Sequence, residues 1–150
     1  MSFLEKVDYP DSAAKEYSKK FLQFIFLKTL GISLLVSSLF ILLSVVTYSK
    51  NDPSFRNAND GEITNLFGIF GSHLADSLHV AIGVTMYTLP VFLLAWSSKF
   101  LFSSSPTYLI KRMILLPLFI AFFSVFLSTN VPPPYWSFEY GLGGIFGDTF

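Results

Sequence analysis

Three apolar runs, Leu30–Val46, Val80–Trp96 and Met113–Leu127, dominate this chain, and its charged residues gather before and between them. A helix that crosses hydrocarbon needs roughly 20 apolar residues, since each rises about 1.5 Å against a core about 30 Å thick. Between Thr29 and Val46 twelve residues are Leu, Ile, Val or Phe. At roughly −0.3 to −0.6 kcal/mol each on an insertion scale, they outweigh Gly31 and four serines. The second run is weaker, with His79, Thr85, Thr88 and Pro90 in or beside it. The third recruits Tyr108–Arg112, where Lys111 and Arg112 snorkel to the headgroups. None of the runs carries the polar face of a soluble core helix. The polar first twenty residues, followed by no small-x-small cleavage site, predict a retained anchor and not a removable signal peptide.

Charge sets the orientation. Lys6, Lys15, Lys19, Lys20 and Lys28 precede or enter the first run, and Lys99, Lys111 and Arg112 lie between the second and third. Only Lys50 and Arg56 separate the first two, and nothing basic follows the third. The positive-inside rule then places the N-terminus and the Ser97–Leu109 loop in the cytoplasm, with Tyr48–Leu74 and Asn130–Phe150 outside. Tyr48, Trp96, Tyr108, Tyr135 and Trp136 fall near the span ends, where amphipathic rings sit at the interface. The predicted division is a cytoplasmic segment 1–20 and a transmembrane domain 21–150, with spans at about 24–47, 76–97 and 109–128 and outer loops 48–75 and 129–150. The fold expected is all-α, a polytopic transmembrane helical bundle in a plasma membrane.

Formal charge is zero. Nucleic acid is gripped by neutralising several phosphates with Lys or Arg, so direct DNA contact by this segment is not expected. No cysteine is present, which removes disulfides and thiol chemistry.

Before the first span, Pro10-Asp11-Ser12 offers a helix cap, and Glu16 and Lys20 are spaced as an i,i+4 pair. After the third, Pro132-Pro133-Pro134 stops the helix near Asn130. Gly68-Ile69-Phe70-Gly71 in the first outer loop recurs as Gly144-Ile145-Phe146-Gly147 in the second. Each copy follows an outgoing span, and the first leads into an incoming one. That placement predicts a duplicated helical hairpin, with three complete spans and the start of a fourth.

The first outer loop opens on Asp52-Pro53, a turn signal, and holds a second turn cluster at Asn57–Gly61. Ile63, Leu66, Phe67 and Phe70 recur at helical spacing, which suits a short interfacial helix. Gly68 and Gly71 favour a sharp turn into the second span instead, with Ser72 as its cap and Asp76 near the positive helix end.

At these residues the chain resembles the N-terminal membrane domain of FtsK/SpoIIIE-type DNA translocases. The likeness runs through Tyr48-Ser49-Lys50-Asn51-Asp52-Pro53-Ser54-Phe55, then Asn65-Leu66-Phe67-Gly68, Gly71, Ala75-Asp76, Gly83 and Pro90, to Gly143-Gly144-Ile145-Phe146-Gly147. Phe55, Phe67 and His73 depart from the pattern, where the family has Trp, a second Gly and a bulky aromatic. The resemblance implies a four-helix anchor for a hexameric DNA pump at the division septum of a bacterial inner membrane. It implies contact with other cell-division membrane proteins and with further copies of the chain. Asp52, Pro53, Asn65, Gly68, Gly71, Asp76, Gly144 and Gly147 are the residues expected to carry structure or partner contact. No Gly-x-x-x-x-Gly-Lys-Ser/Thr motif occurs, so no ATPase motor is expected.

No catalytic residue, cofactor or metal site is expected. His73, Asp76 and His79 form the one His/carboxylate cluster, but at about 100° per residue the two histidines point roughly 120° apart. A polar first turn wetted by the interface accounts for them. Pro90 and Pro117 inside spans would bend their helices, and Ser33–Ser37, Ala81–Thr85 and Ser124–Ser128 have the spacing for close helix approach. The alternative function is a small polytopic transporter or channel subunit with those prolines as hinges. Asp76 and Arg112 lie at span ends, and no carboxylate or arginine in mid-membrane lines a route for ions.

Overall fold

The structure, a computed structural model, describes residues 11–58, 60–102, 113–134, 136 and 138–150, with the side chains of 11–13 left aside. Every regular element among them is helical. Helix α1 spans Asp11–Val46 without a break, 36 residues or about 54 Å of rise. The expected short cytoplasmic helix is therefore the first three turns of the span helix itself. Its Glu16–Lys20 pair forms at 2.7 Å with both side chains largely exposed. The second run occupies α2 (Gly68–Ile82), a 3₁₀ segment (Gly83–Tyr87) and α3 (Thr88–Phe102) in succession. Helix α4 covers Leu115–Ser128 and α5 covers Gly144–Thr149.

Two stretches, Ala14–Val46 and Gly68–Phe102, are long and apolar enough to cross a bilayer, and α4 is a shorter apolar helix. At 14 residues α4 reaches about 21 Å. The residues that would complete its span, with Tyr108, Lys111 and Arg112, lie outside the described ones, as do Lys6 and Tyr135.

What lies inside and outside is inverted relative to a water-soluble bundle. Among the described residues, Val45, Ala75, Met86 and Phe100 are the buried hydrophobics, against ten buried polar residues that include Ser38, Ser44, Thr85, Ser97 and Ser124. Phe21, Phe24, Phe26, Val36, Val91, Phe122 and Phe126 lie exposed. In water such a surface would aggregate. In lipid, apolar side chains face the tails while small and hydroxyl residues let backbones approach and bond. The chain is thus a membrane protein by the way it packs as well as by its composition.

Helix α1 is held to α3 by such contacts. Ser38 Oγ donates to the Pro90 carbonyl at 2.7 Å and Ser97 Oγ to the Gly31 carbonyl at 2.8 Å. Near their other ends, Lys28 Nζ donates to the Phe100 and Leu101 carbonyls at the close of α3, a cation placed on the negative end of a helix. The close-approach positions are thus Gly31, Ser38 and Ser97, whereas Ser33 is exposed.

Neither proline bends a helix in mid-course. Pro90 and Pro117 each stand third in their helices, where a missing N–H costs nothing. The break in the second run lies at Gly83, whose φ of +56° ends α2. Helix α4 closes at Ser128, ahead of Pro132–Pro134, as the proline run requires.

Candidate functional site: two connecting loops and two glycine turns

Asp52 is the hub of the loop between α1 and α2 and is 2% exposed. Its Oδ1 accepts from Thr64 N at 3.0 Å and Thr64 Oγ1 at 2.7 Å, and its Oδ2 from Asn65 N at 2.9 Å. A buried carboxylate costs free energy unless donors surround it, and here three do. Asn65 passes the connection on to α1. Its Nδ2 donates to the Ser44 carbonyl at 2.7 Å and the Thr47 carbonyl at 3.4 Å, satisfying groups left open at the helix end. Its Oδ1 accepts from Phe67 N at 3.1 Å, which turns the chain toward α2. Pro53 contributes its carbonyl, to which Ser72 Oγ donates.

Helix α2 begins at Gly68, and residues 63–67 precede it as a non-helical turn, so the interfacial helix through Ile63 does not form. Ser72 is tied to Pro53 instead of capping, and the N-cap position falls on Phe67 without a side-chain bond. Gly68 takes φ +59°, and a β-carbon on Gly71 would meet Asn65 Oδ1 at 2.0 Å. Asp52, Pro53, Asn65, Gly68 and Gly71 therefore form one cluster.

The second glycine copy repeats this construction on α4. Gly144 opens α5 with φ +67°, as Gly68 opens α2. Gly68 N donates to the carbonyl three residues back at 2.9 Å, and Gly144 N does the same at 3.1 Å. Where the first turn rests on Ser44 and Thr47, the second rests on Ser124 and Ser128. Ser124 Oγ donates to the Gly143 carbonyl, Ser128 Oγ to Asp148 Oδ1 at 2.7 Å, and a β-carbon on Gly147 would lie 2.4 Å from Ser128 Oγ.

Gly144 also meets the break in the second run. Val84 N donates to the Leu142 carbonyl at 2.8 Å, so the second turn supplies a partner to an amide near the break. An unpaired amide in lipid costs several kcal/mol, on the order of an unsatisfied buried group. The 3₁₀ segment and the glycine turn are therefore one unit.

Asp76 sits elsewhere, in a cleft of about 360 Å³ between the α1–α2 loop and the segment that follows α4. Tyr48 OH donates to its Oδ1 at 2.9 Å. Burial first, and that bond second, push the Tyr48 phenol well above its ordinary value. His79 is not wetted by the interface. It is 7% exposed, stacked on Tyr48 at 5.0 Å and packed against Phe138 at 4.1 Å and Trp136 at 5.6 Å. Arg56 reaches from the first loop to an ion pair with Glu139 in the second, 5.3 Å above the Tyr140 ring. No group of three His, Cys, Asp or Glu suited to a metal occurs among the described residues.

Sequence reasoning missed Tyr48, Thr64, Ser72, Phe138 and Glu139 as contacts of this region. The signal for Thr64 was its place beside Asn65, but a partner twelve residues away leaves no periodic trace.

Comparison with known proteins settles the kinship. A family model described as the 4TM region of DNA translocase FtsK/SpoIIIE matches residues 25–150. This chain belongs to that family. Curated relatives named DNA translocase FtsK include one from Caulobacter vibrioides, 28% identical over 113 residues, which is 73% of this chain and 14% of the relative. Another, from Azospirillum brasilense, is 32% identical over 122 residues, 78% of this chain and 19% of the relative. The relative from Rickettsia bellii is 40% identical over 55 residues, 37% of this chain and 7% of its own. The chain thus spans less than a fifth of the length of these relatives. No solved structure matches it. In this FtsK/SpoIIIE 4TM member, the matched region contains both glycine turns and the whole cleft between the two loops.

Proposed function

We propose that this chain is the membrane-anchoring and divisome-interaction domain of an FtsK-type DNA translocase acting in cell division and chromosome segregation. The observation that carries the proposal is the family match over residues 25–150, which covers the membrane helices and outer loops and no motor. Three complete spans cross a bacterial inner membrane, with segment 1–20 in the cytoplasm and domain 21–150 in and outside the bilayer. The outer loops, ordered by Asp52, Pro53, Asn65, Gly68, Gly71 and Asp76, face the exterior and present the recognition surface to other division proteins. Gly144 and Gly147 start a fourth helix. The domain assembles with further copies of itself, as a hexameric pump requires, and neither hydrolyses ATP nor touches DNA.

The transporter alternative loses its support. Its two hinges, Pro90 and Pro117, lie in first helical turns, and the break at Gly83 is filled by the Leu142–Gly144 backbone.

A fluorescent fusion in dividing cells tests the reading. Enrichment at midcell is expected, and uniform membrane fluorescence through division would count against it. Labelling of single cysteines at positions 51–70 from outside intact cells tests the orientation, and labelling from the cytosolic side alone would reverse it.

A further inference from the structure

We propose that α2 is an interfacial helix, docked along the lipid surface at the bilayer face where α1 ends, with Phe70, Leu74, Ser77 and Ala81 as the side that meets lipid. This requires a bilayer around the helices and nothing of the division role.

Contacts at its two ends fix the direction of α2. Ser97 meets Gly31 and Pro90 meets Ser38, so seven residues along α3 answer to seven along α1, and the two helices run side by side in opposite senses. Past Pro90, the first residues of α3 and the 3₁₀ segment carry the chain about 13 Å further, to Gly83. Ser38 to Val46 is a rise of about 12 Å, so Gly83 stands level with the end of α1. A straight continuation would put Gly68 about 22 Å beyond that level. It stays level instead. Just ahead of Gly68, Asn65 Nδ2 lies 2.7 Å from the Ser44 carbonyl, Leu66 N lies 3.2 Å from Thr47 Oγ1, and the Phe67 ring lies 4.5 Å from that of Phe40. Both ends of α2 are therefore at the height of the last turn of α1, and the helix lies across that end.

This height is a membrane boundary. The Lys28 amine, seated on the Phe100 and Leu101 carbonyls, marks the opposite edge. From Lys28 to Val46 the rise is about 27 Å, close to the hydrocarbon thickness of about 30 Å. Gly83–Phe102 then makes its crossing without α2, over about 32 Å.

The two sides of α2 differ accordingly. Ser72 Oγ donates to the Pro53 carbonyl, Asp76 accepts from Tyr48, and His79 packs on Phe138 and Trp136. These partners belong to the segments that leave the ends of α1 and α4, so this side turns away from the hydrocarbon. At about 100° per residue, Phe70, Leu74, Ser77 and Ala81 line the other side. Phe70 is 79% exposed, and Ser77 and Ala81 are exposed with it. Acyl chains cover such a ring, as water does not. Ser77 needs no water either, since its Oγ donates to the His73 carbonyl of its own helix at 2.7 Å. No Asp, Glu, Lys or Arg stands among these four residues, so apolar burial holds the helix to the surface in place of headgroup charge.

The chain has no cysteine, so single-cysteine variants of the full protein each carry one nitroxide. Labels at Phe70→Cys, Leu74→Cys, Ser77→Cys and Ala81→Cys are measured in phosphatidylcholine liposomes by EPR power saturation, with oxygen and a water-soluble nickel chelate as relaxants. Val91→Cys and Phe102→Cys on α3 calibrate depth, since about 16 Å of rise separates them. Phe70 and Ala81 are as far apart in sequence, yet the four α2 labels are expected within about 5 Å of one depth, at the acyl–headgroup boundary. Ile69→Cys and Val80→Cys, equally spaced on α2, replace any variant that circular dichroism shows to be unfolded. A larger spread of depth along α2, nickel access equal to bulk water, or shielding from both relaxants would each overturn the proposal.

Discussion

A β-carbon on Gly83 would stand 2.6 Å from the amide nitrogen of Gly144, and one on Gly144 would stand 2.5 Å from the amide nitrogen of Gly83. The two backbones touch because neither residue has a side chain, and both take positive φ, at +56° and +67°. Substituting Ala at either position adds backbone strain of about 1–3 kcal/mol to an overpacking cost of similar size. Each single variant is expected to lose about 2–6 kcal/mol in detergent unfolding followed by circular dichroism. Because both remove one contact, the double variant should lose clearly less than the sum. Strict additivity would mean that the contact does not exist.

Asp52 governs the first loop through three accepted bonds, so its loss strands the Thr64 and Asn65 amides. Asp52→Ala should cost about 2–3 kcal/mol locally, the scale of hydrogen bonds to a charged group. Hydrogen exchange reads this directly. The Thr64 and Asn65 amides should exchange faster by about 30-fold or more while those of α1 stay unchanged. Unaltered protection at these amides would remove Asp52 from its role as hub.

Tyr48 makes the region around the cleft sensitive to alkali. Its phenol titrates higher in the folded chain than in the unfolded one, chiefly through burial and then through the bond to Asp76. The folded state therefore prefers the protonated form. The stability this gives is complete below the unfolded value near pH 10 and is lost as pH rises from there toward the folded value. Thermal unfolding in detergent should drop with rising pH above about 10, and Tyr48→Phe should flatten that dependence. An equal slope in both proteins would place the alkaline sensitivity elsewhere.

Much of the fold was legible because lipid imposes simple demands. Run length exposed the two long apolar helical stretches, the proline triplet located the end of α4, and the repeated Gly-Ile-Phe-Gly marked two helix starts with the same backbone turn. The break at Gly83 was not legible as a break. A single glycine in an apolar helix is ordinary in membranes, and what accompanies the break at this one is a turn about sixty residues away. Of the cleft, Asp76 was visible, but its neighbours Tyr48, Phe138 and Glu139 come from separate segments. His79 looked interfacial because polarity along one helix says nothing about the aromatic loop that later covers it.

The two glycine copies share a conformation and differ in surroundings, which separates strain from crowding. Gly68 has φ +59° with nothing within 4 Å of a prospective β-carbon, whereas the same atom on Gly144 would collide with the backbone at Gly83. At Gly68 the penalty for Ala is conformational alone, about 1–2 kcal/mol, and Asn, which tolerates the left-handed region, should recover most of it. At Gly144 the collision adds to the strain, and Asn should be no better than Ala. Unfolding midpoints of the four variants in one detergent test this. Rescue by Asn at position 68 and none at 144 is the expected pair of results. Rescue at both would show that the second turn stands clear of the 3₁₀ segment.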